Sequence, residues 1–139
     1  GSAMGLIQGF GNSIAPDATG IGALHALNVS DGESAFAVQQ GPRFTSSVLA
    51  TGGRLLFVGD ANRYVKALDD TTGETLWQHR LQAPIGGTPV TYEVDGTQYV
   101  VIAAGQSNQT DAGITPGGLT NPRLGGNSIH VFRLRNQAE

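Results

Sequence analysis

The segment Ala67-Leu68-Asp69-Asp70-Thr71-Thr72-Gly73-Glu74-Thr75-Leu76-Trp77 constrains the fold more than any other part of this chain. It has the form A-x-D-x-x-T-G-x-x-x-W, a strand leading into a tight turn and out into a second strand that ends on an indole. Asp and Thr side chains hydrogen-bond nearby backbone in turns, and Gly73 supplies a positive φ. Leu76 and Trp77 suit a strand, and the indole is large enough to fill a gap between packed sheets. Taken alone, the segment reads as a β-hairpin with an aromatic anchor.

A second copy changes the reading from a hairpin to a repeat. Ala26-Leu27-Asn28-Val29-Ser30-Asp31-Gly32-Glu33-Ser34-Ala35-Phe36 lies about 41 residues upstream, a spacing suited to propeller blades. Asn28 stands for the Asp, Asp31 for the Thr and Phe36 for the Trp. Ile129-His130-Val131-Phe132 falls at the phase of Leu24-His25-Ala26-Leu27 and of Val65-Lys66-Ala67-Leu68, which makes His25, Lys66 and His130 equivalent polar positions.

Short apolar runs separated by Gly, Pro, Asn and Asp predict an all-β chain with strands over 22–28, 33–39, 46–50, 54–59, 63–69, 74–81, 88–94, 97–104 and 128–134. Asp95-Gly96 and Gly52-Gly53 mark tight reversals. In groups of four, these strands give a blade end over 22–39, a full blade over 46–81 and a terminal blade over 88–134 that carries a long loop at 106–125. Two to three blades cannot close a ring, and their outer faces and edges invite pairing with other chain. The expected partners are therefore the remaining blades of a propeller, or further copies associating through sheet edges. Gly1-Ser2-Ala3-Met4 reads as a cloning scar, so the fold argument applies to 5–139.

The repeat resembles the tryptophan-docking repeat of the quinoprotein β-propellers, the dehydrogenases that use pyrroloquinoline quinone (PQQ). Phe44 to Asp60 resembles the opening of a late blade in PQQ-dependent alcohol dehydrogenases, and Asn62 to Asp69 continues it. Gly86 to Val100 resembles the penultimate hairpin of that family, and Gly126 to Leu134 its terminal strand. The resemblance implies an incomplete propeller of four-stranded antiparallel blades, with Ala67, Asp69, Thr72, Gly73 and Trp77 as docking residues. It also implies a parent enzyme that passes hydride from an alcohol to PQQ, with calcium polarising the quinone and an Asp as base, in the bacterial periplasm. The family's base, metal ligands, vicinal cysteines and cofactor-stacking Trp have no match here, and the chain contains no Cys. No catalytic residue and no metal ligand is therefore expected, and the isolated chain is expected to be inactive. Only Phe44-Thr45-Ser46-Ser47 corresponds to a loop facing the channel, where Thr45 and Ser46 are candidates to donate hydrogen bonds to the cofactor. The other reading of these hydroxyls is that they satisfy backbone at a strand entry.

Other classes find little support. The net charge is −3 and the cations are scattered, which is no footprint for nucleic acid. No apolar run is long enough to span a membrane. No G-x-G-x-x-G or P-loop spacing lies between a strand and a helix. His25, His79 and His130 fall on different strands, which argues against a common metal, and Asp60 and Asp69-Asp70 read as turn residues. Two functions stay open: a C-terminal section of a PQQ-dependent alcohol dehydrogenase, and a non-catalytic propeller-repeat scaffold or binding module.

Overall fold

The computed structural model describes residues 20–105 and 126–133. The scar at 1–4, the segment to residue 19, the 106–125 loop and Leu134 lie outside the described residues. Within them the chain is all-β, with nine strands: β1 (Gly22–Leu27), β2 (Ser34–Gln40), β3 (Leu49–Ala50), β4 (Leu55–Gly59), β5 (Tyr64–Asp69), β6 (Thr75–Arg80), β7 (Val90–Val94), β8 (Thr97–Ala104) and β9 (Ser128–Arg133). They form three antiparallel meanders, β1-β2, β3-β4-β5-β6 and β7-β8-β9, the sheets of a partial β-propeller. Each expected strand is present. The third starts at Leu49 instead of 46, because four residues (45–48) run opposite only Val58 and Gly59, between the Phe44–Asp60 bridge and the Leu49–Phe57 pair. The strand entry is thus a bulge.

The middle sheet is covered on both faces, which is why β5 reads Tyr-Val-Lys-Ala-Leu-Asp without clean alternation of burial. One face sends Phe57, Val65 and Ala67 against Val100, Ile102 and Ala104 of the last sheet, with Leu81, Ala83 and Ile85 from the connection between them. On the opposite face Val58 and Leu68 are fully buried, and Lys66 reaches Gln40 of the first sheet.

The two repeats share one backbone geometry. Ala67 pairs with Trp77 and Ala26 with Phe36, and a register shift follows the Ala in each case. The Asp69 carboxylate accepts hydrogen bonds from the Thr71 and Thr72 amides, both at 2.8 Å, and from the Thr72 hydroxyl at 3.1 Å. In the first repeat Asn28 accepts from the Ser30 amide at 3.0 Å, so an amide oxygen does the work of the carboxylate. Thr72 Oγ1 accepts from the Glu74 amide and Asp31 from the Glu33 amide, again two residues ahead. The Gly73 and Gly32 amides close the turns on the carbonyls of Asp69 and Asn28, with φ of +74° and +76°.

What differs is the surroundings of the turn. A Cβ on Gly73 would lie 2.6 Å from Phe36 Cδ2 and 2.7 Å from Val38 Cγ2, so this turn is pressed onto the first sheet. A Cβ on Gly32 would meet nothing within 4 Å. Trp77 occupies the position of Phe36 one blade on. Its ring meets Phe132 edge-on at 5.1 Å and stacks on His79 at 6.1 Å, yet the residue is 40% exposed. Truncating a fully buried indole to Ala costs about 3–5 kcal/mol. Among the described residues no further turn covers Trp77, so its truncation costs less than that range.

The contrast between the two glycines is a direct test of sheet-to-sheet packing. Gly32→Ala is expected to lose about 1 kcal/mol, the cost of a positive φ alone. Gly73→Ala adds overlap with Phe36 and Val38 and is expected to lose about 2–4 kcal/mol. Urea unfolding of both variants reads the difference, and equal losses would contradict the packing.

Candidate functional site

Because the strands alternate in direction, the connections 41–48, 60–63, 81–89 and the two ends of the β8–β9 connection all lie at one end of the sheets. Hydrogen bonds tie them together there. The Thr45 amide donates to the Gly59 carbonyl at 2.9 Å, and the Thr45 hydroxyl donates to the Ile85 carbonyl at 2.7 Å. The Ser46 hydroxyl donates to the Ser47 carbonyl at 2.7 Å and accepts from the Gly59 amide at 2.7 Å. Thr88 Oγ1 reaches Ser47 Oγ at 3.2 Å, and the Gly105 amide donates to the Pro84 carbonyl at 2.9 Å. Both candidate cofactor residues thus stand at this end with their hydroxyls bonded to backbone.

Asp60 sits at the centre of this end, where the sequence alone suggested only a turn residue. It is almost fully buried, and Phe44 pairs with it as an isolated bridge. Its Oδ1 accepts from the Tyr64 amide at 2.9 Å. Its Oδ2 lies 3.5 Å from Lys66 Nζ and 3.4 Å from Gln40 Nε2. The Lys66 ammonium donates to Gln40 Oε1 and stands over the Phe44 ring at 5.9 Å from its centroid. Gln40 Nε2 also donates to the Pro42 carbonyl at 2.7 Å. Burial pushes the Asp60 carboxyl above the ordinary Asp range, opposed in part by the Tyr64 amide and the Lys66 ammonium. At the other end of the sheets, the Thr71 and Thr72 amides hold the exposed Asp69 carboxyl below the usual range.

At the same end of the last sheet is an open cleft of about 710 Å³ lined by Gly86, Gly87, Gly105, Asn127 and Ser128. Ser128 Oγ lies 2.9 Å from His130 Nε2 at its edge. His79 and His130 both pack against Phe132, while His25 belongs to the first sheet. Among the described residues no group of three or more His, Cys, Asp or Glu is placed to hold a metal ion. Among the described residues Asp60 is the one buried carboxylate at this end, and Lys66 engages it.

Comparison with known proteins agrees with this geometry. Residues 19–100 match the family model described as the glucose/ethanol/alcohol dehydrogenase β-propeller domain (PQQ). The quinoprotein ethanol dehydrogenase of Pseudomonas putida is 32% identical over 115 residues, covering 82% of this chain and 18% of that protein. Methanol dehydrogenase subunit 1 of Methylorubrum extorquens is 31% identical over 114 residues, with the same coverage of 82% and 18%. Among solved structures, the quinohemoprotein alcohol dehydrogenase of Comamonas testosteroni superposes with a TM-score of 0.57 at 31% identity, over 60% of this chain and 12% of that one. A europium-containing methanol dehydrogenase gives 0.56 at 31% identity, over 60% and 15%. The chain spans about a fifth of the length of the curated relatives it matches.

The raised pKa of Asp60 fixes the sign of a pH effect. A folded-state pKa above the unfolded one favours the protonated carboxyl, so the stability contributed by Asp60 is complete below the unfolded value of about 4 and is lost as pH rises through the folded value. The stability of Asp60→Asn relative to the native chain should therefore increase as pH rises from about 4 to about 7. Thermal unfolding across that range measures it, and a difference independent of pH would contradict the burial-driven shift.

Proposed function

The chain belongs to the PQQ-dependent glucose, ethanol and alcohol dehydrogenase β-propeller family, and from that premise we propose that it supplies late blades of an alcohol-oxidising quinoprotein. Its sheets form part of the ring, and the Phe44–Ser47 segment, with Thr45 and Ser46, forms part of the wall around PQQ. Ala67, Asp69, Thr72, Gly73 and Trp77 act as the docking residues that set one blade on the next. The general base and the calcium ligands belong to blades outside this chain, and the parent protein works in the periplasm. Among the described residues no helix is long and apolar enough to cross a membrane.

One observation carries this reading. Val65 and Ala67 face the last sheet and are 0% and 4% exposed, whereas their equivalents Ile129 and Val131, on the corresponding face of the last sheet, are 74% and 54% exposed. Val90, Tyr92 and Val94 continue the same open apolar face. A sheet face of this kind is built to be covered by another sheet. The second reading, a scaffold that kept the repeats and lost the cofactor, draws on the engagement of both candidate hydroxyls with backbone.

Alcohol-dependent dye reduction separates the readings. The isolated chain with PQQ and calcium is expected to show no turnover, while the complete polypeptide carrying this segment oxidises a primary alcohol when given both. Turnover by the isolated chain, or a complete polypeptide that is inactive when loaded, would overturn the proposal.

A further inference from the structure

A buried carboxylate is expensive to keep unless it does something an apolar side chain cannot. Asp60 directly follows β4, and its backbone alone ties the β4–β5 connection to the β6–β7 connection. Its amide donates to the Tyr64 carbonyl at 2.9 Å, and its carbonyl accepts from the Arg63 amide at 3.2 Å and the Ile85 amide at 3.5 Å. Its side chain continues the linkage to the first sheet through Lys66 and Gln40, and Gln40 in turn holds the Pro42 carbonyl, where the 41–48 connection begins. Lys66 Nζ therefore touches the first sheet, the middle sheet and the Phe44 ring at once, from a side chain only 16% exposed.

Among the described residues, the equivalent positions in the other sheets do not share this arrangement. His25 is exposed, and His130 bonds with Ser128 of its own strand. The network is thus specific to the one connection that carries the Phe44–Ser47 bulge. The Ala61 amide donates to the Arg43 carbonyl at 3.0 Å and the Thr45 amide to the Gly59 carbonyl at 2.9 Å, so the backbone of the bulge is fastened on both sides of Phe44 to the β4–β5 connection that Asp60 organises.

We propose that Gln40, Lys66 and Asp60 are positioning residues, a polar lock between neighbouring blades that fixes the Phe44–Ser47 segment at the channel end of the fold. Lys66 is the pivot, since it is the group shared by both blades and by Phe44. The lock itself stands on the contacts within this chain; its purpose, holding the wall beside a quinone, rests on the functional reading above.

Hydrogen–deuterium exchange on the full chain tests it. In Lys66→Met the amides of residues 43–47 and Ala61 are expected to exchange about tenfold faster, the loss of a charge-assisted contact. The turn at 69–74 and the centre of β8 should keep their protection. Lys66→Arg, which retains the cation and its donors, is expected to restore residues 43–47, and Gln40→Leu on the other sheet to reproduce the Lys66→Met pattern. Unchanged exchange at 43–47, or loss of protection throughout the chain in both Lys66→Met and Gln40→Leu, would overturn the lock by making the network either idle or a general stabiliser. Separately, a complete polypeptide that binds no PQQ by fluorescence titration would overturn the functional reading, while the exchange pattern would still decide the lock.

Discussion

The contact of one sheet's outer strand with the next sheet's turn is the interaction on which this architecture depends. Two- to four-stranded sheets bury little by themselves, and small antiparallel meanders gain stability only when a face is covered. Here the cover comes from the neighbouring blade. Phe36 and Val38 of β2 receive the Gly73 turn, which can approach because that position carries no Cβ. Asp69 holds the turn in shape with three hydrogen bonds from Thr71 and Thr72, so the chemistry of the turn and the packing of the sheets are one device. On the opposite face the cover is strand on strand, with Phe57, Val65 and Ala67 packed against Val100, Ile102 and Ala104.

The two ends of the sheets then divide the labour. At one end are the compact turns, exposed at Asp31-Gly32, packed at Gly73 and tight at Asp95-Gly96. At the other end are the longer connections, bound to one another by Thr45, Ser46, Asp60 and Ile85. Asp60 is held there against the cost of burial, with Lys66 as its counter-charge. In a stability-driven design that position would be apolar. Keeping a charge pair there is understandable where a loop must be set in one place, because hydrogen bonds and ion pairs specify geometry more sharply than apolar contact does.

Much of this was legible in the sequence. The Asp-x-x-Thr-Gly turn and its degraded copy gave away the repeat, since Asn28 and Asp31 preserve the acceptors that Asp69 and Thr72 supply. Short apolar runs bounded by Gly, Pro, Asn and Asp, together with the Asp95-Gly96 dipeptide, located the strands. Three things were not legible. The bulge at 45–48 depends on the Ser46 hydroxyl and the Gly59 carbonyl and amide, which local propensity does not register. The exposure of Trp77 follows from what stands beside it, not from its own motif. The Asp60 network draws on β2, β5 and the β4–β5 connection, up to 26 residues apart, and its only sequence trace is a Lys at the repeat position where the other two copies have His.

The account stands or falls on the last sheet's open face. If Ile129, Val131, Val90 and Tyr92 are a surface made to be covered by a further blade, the isolated chain must cover it with another copy. Solution mass by multi-angle light scattering is the most direct test. The account predicts an assembly larger than one 14.4 kDa chain, reduced to the single chain by Ile129→Asp together with Val131→Lys on that face. A native chain that stays monomeric at high concentration would contradict it.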